Sequence, residues 1–337
     1  MKKICAFSLP ALLIAAASVQ AGTNQNTLVV TASNASNNQL LVYDTTGAPI
    51  QAVSTGGQGG VGGNSGGIAA QGGQVAVVNF GSQNVSIFDL VGHGFQMKQL
   101  VPAASNPVSV AFGNGHLYVL GTTKVESHQI FGSHVNSSPD GVSPLYLADG
   151  SAAQVGVVTN QLVISEKTGV IETVNLGTDG AVSGAATLVQ NLPNPALAPF
   201  GLVTRGNNAY VTIAHSNEIS LVRNGTVLTI TGSGTEMAPC WVTLVGPFLF
   251  SSNSPSHSIS RFAVYGQKIV QDAAKAATVN GAPTDIASGD GLIGVIDGNG
   301  PVSHLSVFNM DEDGNLTLKA STTVNAPING VAIVTGE

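Results

Sequence analysis

Charged residues are scarce in this chain. Only 9% of its 337 residues are Asp, Glu, Lys or Arg, whereas soluble domains usually carry about 25%. This scarcity argues against a coiled coil and a charged, helix-rich enzyme surface, and 11 basic residues are too few for the basic stripe of a nucleic-acid binder. The net charge of −7 also disfavours binding to polyanions and to anionic lipid. We therefore expect no nucleic-acid partner.

Cysteine is almost absent. The chain contains Cys5 and Cys240, and Cys5 lies in an N-terminal segment that we predict to be removed. No intramolecular disulfide is then available to the mature protein. Cys240 stands in the apolar run APCWVTL, where a small buried side chain is favoured over a reactive thiol. The stability of the fold must therefore come from packing.

Long apolar runs are missing except at the N-terminus. There, two lysines precede the run ICAFSLPALLIAAASV, which leads to a small-x-small exit at Val19-Gln20-Ala21. This arrangement is typical of a secretory signal, so we predict a signal peptide over residues 1–21, a single domain over residues 22–337 and a secreted or periplasmic protein. A membrane anchor is less favoured, because Pro10 interrupts the run and a bilayer span needs ~20 apolar residues. No membrane span is expected in the mature chain.

Glycine, proline and short apolar runs are abundant. The chain has 42 Gly and 15 Pro residues and is 43% hydrophobic, a composition that favours many short strands over helices. One motif recurs every 40–47 residues: a Pro or small residue, an apolar strand, a turn and a second apolar strand. It is clearest in PVSVAFGNGHLYV, PFGLVTRGNNAYV and PCWVTLVGPFLFS. Copies begin at Gly66, Pro107, Ala152, Pro199, Pro239, Pro283 and Pro327.

This repeat predicts an all-β, seven-bladed β-propeller with four-stranded blades. A period of that length with four short strands per unit is typical of propellers, whereas helical repeats would show apolar residues at 3.6 spacing and a β-sandwich would not repeat one motif. The seventh copy stops after one strand, and the N-terminal runs LVVTAS, NQLLVYDT and PIQAVS lack an inner strand. Because an open edge invites aggregation, we predict that the strand near Pro327 pairs with residues 28–32 and closes the last blade.

Several runs resemble a known superfamily. VAVVNFGSQNVSIFDL, AYVTIAHSNEISLV and SHLSVFNMDEDGNLTL look like blades of the secreted and periplasmic seven-bladed propellers grouped as lactonase-like or YVTN-repeat proteins. Tyr210-Val211-Thr212 matches the Tyr-Val-Thr-Asn strand end of that group, although Ile213 follows, and residues 311–316 resemble its Asp-x-x-Gly-x-Leu turn. The resemblance covers nearly the whole mature chain and implies the propeller fold, with lactone hydrolysis as one activity of the group.

The catalytic motifs that the resemblance implies are missing. Lactonase-like enzymes carry Gly-Pro-Arg-His before one strand and Asn-Glu after the next, where this chain has Leu197-Ala198-Pro199-Phe200 and Ala214-His215. A lactone-type hydrolase would need another base to activate water and other donors to hold the oxyanion. A local set of His and Glu residues on the mouth loops of adjacent blades could supply the base, and ordinary solvated loop polarity is the alternative. The candidates are His215, Glu218, Glu236 and His257.

Mostly polar residues recur two positions after the repeat start. By analogy of fold, the loops that lead into inner strands and those that join second and third strands open on one face of a propeller. We expect residues at this offset to point into the central channel and predict that they bind an unidentified small molecule or protein at the channel mouth. Alternatively, these groups satisfy one another and channel water. The residues are Ser109, Gln154, Trp241, Asp285 and Asn329.

No cofactor or metal is expected. The seven histidines lack the Cys/His pairing of zinc sites, and the Gly-rich run over residues 56–67 lacks the Lys-Ser/Thr of a phosphate loop, so we interpret it as a flexible loop. The first function hypothesis is an exported, monomeric binding or interaction module. The others are a lactone-type hydrolase with a divergent site and a structural surface-layer component, which the low charge and high Gly/Asn content fit.

Overall fold

A computed structural model describes residues 27–62, 66–193, 197–298 and 301–336. Within these ranges the regular structure is β-strand, apart from a 3₁₀ turn at Ala214–Ser216. No helix in the described ranges is long and apolar enough to cross a membrane. The predicted signal peptide lies outside the described residues.

The strands form seven antiparallel sheets, which are the blades of the predicted propeller. The first strands in the chain are β1 (Thr27–Ala32), β2 (Gln39–Asp44) and β3 (Pro49–Ser54). Blade 1 contains β4 (Ile68–Gln71), β5 (Gln74–Asn79), β6 (Asn84–Val91) and β7 (Gly94–Pro102). Blade 2 contains β8 (Pro107–Gly113), β9 (His116–Gly121), β10 (Lys124–Phe131), β11 (His134–Val135) and β12 (Gly141–Pro144). Blade 3 contains β13 (Ala152–Val158), β14 (Gln161–Glu166), β15 (Val170–Asn175) and β16 (Thr187–Leu188).

The remaining blades follow the same order. Blade 4 contains β17 (Pro199–Arg205), β18 (Asn208–Ile213), β19 (Glu218–Arg223) and β20 (Thr226–Gly232). Blade 5 contains β21 (Pro239–Val245), β22 (Phe248–Asn253), β23 (Ser258–Tyr265) and β24 (Lys268–Thr278). Blade 6 contains β25 (Pro283–Gly289), β26 (Leu292–Asp297), β27 (Ser303–Met310) and β28 (Leu316–Val324). The last strand is β29 (Asn329–Thr335).

Blade 7 is composite, with strand order β29-β1-β2-β3. β29 pairs antiparallel with β1, so that Thr335 lies opposite Thr27 and Ala332 lies opposite Val30. The inner strands β4, β8, β13, β17, β21, β25 and β29 contact one another in a closed ring. The seven-bladed ring and its closure by the N-terminal strands are thereby confirmed.

The second strands are the most deeply buried elements. All six residues of β5, β9 and β26 and the last five of β22 are buried, because neighbouring blades pack on both faces. A strand covered on both faces has a solid apolar sequence rather than an alternating one. Tyr118, Tyr210 and Phe250 stand at equivalent places in these strands and are fully buried in the core.

The inner strands of blades 2–6 share a bulge near their first residue. In blade 2, Pro107 lies opposite Gly121 while Ser109 lies opposite Leu120, so Val108 is the extra residue. A bulge bends its strand and changes the direction of the following side chain. It therefore sets where the residue two positions after each repeat start points.

Candidate functional site

The channel mouth is built on the free edges of the inner strands. An edge strand presents unpaired backbone N–H groups, and buried ones need an acceptor. In three places a side chain of one blade accepts a hydrogen bond from a backbone N–H group in the inner strand of another blade. The pairs are Val155 N to Ser109 Oγ at 3.3 Å, Leu202 N to Gln154 Oε1 at 2.7 Å and Val331 N to Asp285 Oδ2 at 3.1 Å.

Gly66 lies across the mouth at the level of these acceptors. Its carbonyl oxygen accepts a hydrogen bond from Val110 N at 2.8 Å, and its N–H donates to Asp285 Oδ2 at 3.4 Å. A Cβ atom at this position would lie 2.7 Å from Ser109 Oγ and 3.2 Å from Gln154 Nε2. Residue 66 can approach so closely only because it has no side chain, and its φ of +64° also favours glycine.

Gly67 continues this segment towards blade 7. A Cβ atom here would collide with the side-chain amide of Asn329. Four of the five predicted channel residues therefore meet the Gly66–Gly67 segment, which we call the mouth floor. In the described part of the Gly-rich run, Gly59 N donates to Ala35 O at 2.8 Å.

Asp285 is the acidic residue among the side chains that contact the mouth floor. It is 4% exposed, and Oδ1 accepts the N–H of Ile286 at 2.8 Å while Oδ2 accepts those of Gly66 and Val331. A buried charge is costly unless hydrogen bonds replace its hydration. Three backbone donors supply that replacement and join blades 6, 7 and 1.

Trp241, the fifth predicted residue, is placed differently. It is 3% exposed and belongs to an apolar cluster with Phe250 and Ile286, at the interface of blades 5 and 6. Its ring meets Phe200 edge to face, with centroids 5.3 Å apart and an interplanar angle of 78°. The described contacts of Trp241 are therefore packing contacts between blades.

His215 and His257 lie on mouth loops of blades 4 and 5, as their spacing predicts, and both are exposed. In the described ranges neither imidazole has a hydrogen bond or ion pair with Glu218 or Glu236. Glu236 is buried, accepts the hydroxyl of Ser258 and lies 3.9 Å from the ammonium of Lys275 on the surface. The structure places the four candidates on one face of the ring but shows no direct contact among them.

A histidine–carboxylate pair that the sequence analysis missed lies on blade 6. His304 Nδ1 is 2.7 Å from Asp297 Oδ1, and Asp297 Oδ2 accepts Gly281 N at 3.0 Å. Asp297 is 1% exposed, whereas the His304 side chain is 29% exposed. Because Nδ1 must hold a proton to donate to the carboxylate, we assign Nε2 as the free acceptor. The two residues lie opposite each other in the sheet, since Asp297 is the last residue of β26 and His304 is the second residue of β27.

Asparagines at the ends of second strands shape the mouth loops. Asn79 Nδ2 donates to Ser86 Oγ at 2.7 Å, and Asn253 Nδ2 makes the matching bond to Ser260 Oγ at 2.8 Å. Both asparagines are fully buried. Their amides hold second and third strands together and are therefore structural.

The described residues line one cavity that reaches the mouth floor and another at the opposite end of the blades. The first, of about 290 Å³, is bounded by the inner strands of blades 1–4, and its lining includes Gly66, Gln154 and Leu202. A larger one, of about 450 Å³, lies between blades 1 and 2 at their hairpin turns and is lined by residues that include Gln74 and Asp89. The larger cavity is at the opposite end of the blades from the mouth. It therefore does not coincide with the place where the polar side chains of the inner strands converge.

Solved structures share this architecture. The chain aligns with a proposed 6-phosphogluconolactonase from Bacteroides fragilis at a TM-score of 0.66 and 14% identity, over 93% of this chain and 99% of that one. A second such protein, from Bacteroides uniformis, gives a TM-score of 0.68 and 14% identity over 92% and 100% of the two chains. Virginiamycin B lyase from Staphylococcus aureus gives 0.59 and 15% over 79% and 87%.

These likenesses confirm the fold that the sequence resemblance implies. At identities of 14–15% these likenesses show a common architecture only. The chemistry of the channel mouth must therefore be argued from the residues of this chain. No protein-family profile matches the chain, and comparison with curated protein sequences gives no match.

Proposed function

We propose that this protein is a binding or interaction module that takes its ligand at the channel mouth. The observation that supports this is the mouth floor, on which side chains from four inner strands converge. Such convergence gives a preformed surface, as most ligand sites have. Because the chain's own backbone occupies the inner ring, the ligand would rest on this floor and contact the exposed rim, which includes Thr168, His215 and His257.

The charge of the chain narrows the chemistry of the partner. A net charge of −7 disfavours polyanions. An uncharged or cationic small molecule, or a protein surface of that character, is the partner class that fits.

Blocking variants test this proposal. Binders found by a thermal-shift screen should lose at least tenfold in affinity with Thr168→Trp or His215→Trp, because a bulky ring on the rim obstructs the mouth. Asn207→Trp is the matched control, since Asn207 is also exposed but lies in a turn at the opposite end of blade 4. A binder that is affected only by the control substitution would place the site at the other end of the channel.

We also propose that the protein acts after export, in the periplasm or outside the cell. The support is the N-terminal charge, apolar run and small-residue exit. Mass spectrometry of exported protein should find Gly22 as the first residue. Exported protein that retains residues 1–21 would contradict the proposal.

A lactone-type hydrolase is the second candidate, favoured by the Asp297–His304 pair. A carboxylate that orients an imidazole is the arrangement of a general base. Neutral Nε2 would take a proton from the water that attacks the lactone carbonyl, and the imidazolium would return that proton to the ring oxygen as the ring C–O bond breaks. The sequence candidates His215, Glu218, Glu236 and His257 remain alternative bases for the same chemistry.

Hydrolysis of a lactone panel separates these possibilities. If His304 is the base, His304→Ala should lower kcat by about 10²–10⁴, whereas His215→Ala and His257→Ala should leave it nearly unchanged. The reverse pattern would favour the sequence candidates. Activity should also fall at acidic pH, because only neutral imidazole accepts a proton. If the protein hydrolyses no lactone in the panel and binds no ligand in the screen, the surface-layer hypothesis is favoured.

A further inference from the structure

The larger cavity, between blades 1 and 2, belongs neither to the channel mouth nor to the His–Asp pair of blade 6. Its volume of about 450 Å³ lies within the range of sites that hold small molecules. It is bounded by the turn that joins β4 to β5 and by the turn that follows β10. We call it the turn-end cavity, and its lining includes Gln74, Asp89, Leu90, Phe112, Ile130 and Ser133.

Gln74 is a polar side chain held rigidly in the wall of the turn-end cavity. It is 8% exposed, and its Nε2 donates to Asp89 Oδ1 at 3.1 Å and to Ser133 O at 2.7 Å. A side-chain amide has two N–H hydrogens, so these two bonds use both. Among the described residues Oε1 accepts no hydrogen bond, and it is not sealed from solvent. The amide therefore leaves one fixed acceptor for a molecule in the cavity that it lines.

Asp89 supplies a second acceptor and a negative charge. Its Oδ1 is held by Gln74, whereas its Oδ2 has no hydrogen bond among the described residues and is also not sealed from solvent. None of the described residues that line the cavity is basic. The carboxylate is therefore not neutralised by a cation of the wall.

The rest of the wall offers apolar surface. Leu90, Phe112 and Ile130 pack against the core but are only partly buried. A ligand with an apolar body would cover the surface that they leave uncovered, which is favourable in proportion to the area removed from water. An aromatic ring such as that of Phe112 also attracts cations to its face.

Blade 3 shows that the Asp89 carboxylate is not needed to hold its strands together. Gln161 begins β14 and lies opposite Asn175 of β15, as Gln74 begins β5 and lies opposite Asp89 of β6. Gln161 Nε2 donates to Asn175 Oδ1 at 2.8 Å, so an uncharged amide makes the same cross-strand bond at the surface. The charge in blade 1 is therefore free for another role.

We propose that the turn-end cavity binds a small organic cation that carries a primary ammonium group on an apolar carbon body. An ammonium has three N–H donors and no acceptor, which matches Gln74 Oε1 and Asp89 Oδ2. The apolar body would pack on Leu90, Phe112 and Ile130. An anion would find no fixed donor, because both N–H groups of Gln74 are used within the protein. The net charge of −7 also favours the approach of cations.

Calorimetric titration at pH 7 with 2-phenylethylamine hydrochloride tests the proposal, with Nα-acetyl-lysine methylamide as a second probe. We expect one site with a Kd of about 10⁻⁴–10⁻³ M for at least one probe, which suits ligands of this size. Binding of the first probe alone indicates a free amine, and binding of the second alone indicates a lysine side chain of a partner. The neutral analogue 2-phenylethanol should bind at least tenfold more weakly than the amine.

Asp89→Asn is the deciding variant. It should fold, because an asparagine makes the equivalent bond in blade 3, and the affinity for the amine should fall at least tenfold, because a charged hydrogen-bond partner is lost. Asp311→Asn is the matched control. It removes the same charge from an exposed turn of blade 6 at the same end of the blades, outside the residues that line the cavity. It should bind the amine as the unmodified protein does.

A blocking variant tests the place of binding without a change of charge. Ser133 is exposed in the turn that follows β10, so Ser133→Trp should fill the cavity and lower the affinity at least tenfold. His93→Trp is its control, since His93 is exposed in the equivalent turn of blade 1 and does not line the cavity.

Four results would overturn the assignment. They are no binding of either ammonium probe, equal affinity for 2-phenylethanol and the amine, unchanged affinity in folded Asp89→Asn, and an equal loss in Asp311→Asn and Asp89→Asn. Equal losses in Ser133→Trp and His93→Trp, with both variants folded by circular dichroism, would also overturn it, because the cation would then bind elsewhere.

Discussion

Asp285 joins three blades through one buried carboxylate, which gives it a measurable structural role. Asp285→Ala would leave the N–H groups of Gly66, Ile286 and Val331 without this acceptor. We expect the free energy of unfolding to fall by at least about 2 kcal/mol, measured by urea denaturation.

Asp311→Ala is the control for that loss. Asp311 also accepts backbone N–H groups, from Asp313 and Asn315, but it stands in an exposed hairpin turn where water can replace it. Asp311→Ala should lower the free energy of unfolding clearly less than Asp285→Ala does. Equal losses would show that the mouth contacts of Asp285 do not stabilise the ring beyond what a surface turn does.

Glu166 makes stability depend on pH in the direction opposite to that of an ion-paired carboxylate. Burial raises its pKa from 4.5 to about 8, so the folded protein binds this proton more tightly than the unfolded chain does. Its contribution should be complete below pH 4.5 and should be lost as the pH rises to about 8, by at most about 1.4 kcal/mol per pH unit. Urea denaturation from pH 5 to pH 8.5 should show a smaller decline in Glu166→Gln than in the unmodified protein. Parallel declines in the two proteins would show that Glu166 does not cause the pH dependence.

Counting two positions from each repeat start was enough to predict which side chains lie at the mouth in several blades. Ser109, Asp285 and Asn329 reach the channel because inner strands of equal geometry put equal positions in equal places. Trp241 shares the offset, but its large ring gains more from the apolar interface between blades. The Asp297–His304 pair depends on neighbouring side chains and their burial, which no spacing rule encodes. The same is true of Glu166 Oε1, which is buried without a hydrogen-bond partner among the described residues.

At the scale of the strand, close approach of inner strands limits which residues fit. A Cβ atom on Gly201 of β17 would lie 2.6 Å from Cys240 O and 2.7 Å from Trp241 Cα of β21. Backbone atoms cannot rotate away, so Gly201→Ala should push the two inner strands apart. We expect a loss of about 1–3 kcal/mol in the free energy of unfolding, as in other overpacked sites.

The matched control for Gly201→Ala lies in the same blade. Gly232 is the last residue of β20, and the nearest atom to its Cβ position is Asn217 O at 3.9 Å. Gly232→Ala should leave the melting temperature unchanged or raise it, because alanine restricts the unfolded chain. A similar loss in both variants would mean that strand glycines matter here for reasons other than close approach.

Inner, second and third strands could be predicted from the sequence, but fourth strands were harder to identify. Second strands such as β9 and β22 are buried on both faces, so nearly every position is constrained to be apolar. Fourth strands lie at the outer edge, where few side chains are fixed by packing. Blade 2 accordingly splits its fourth strand into β11 and β12, and β16 of blade 3 has only two residues. The inner-strand bulges were also not predicted, because they change pairing without changing the apolar pattern.

For the whole molecule, ring closure depends on β29. Deleting residues 327–337 would remove the inner strand of blade 7, expose the edge of β1 and open the ring between β25 and β4. We expect loss of soluble monomer in size-exclusion chromatography, because two unpaired edges can associate with other chains. Deleting only residues 336–337 should preserve the monomer, since β29 ends at Thr335. If the protein that lacks residues 327–337 is soluble and monomeric, the other six blades are stable without closure of the ring.

The composite blade also sets an order of events during synthesis. Thr31 Oγ1 donates to Gly330 O at 2.7 Å, across 299 residues of chain. At translation rates of about 5–20 residues per second, β1 exists for roughly 15–60 s before its inner partner has been made. During that time blade 7 has three strands and one bare edge, while blades 1–6 can fold as they emerge. Export machinery or a holding chaperone that captures the nascent chain would therefore have the longest access to its first three strands.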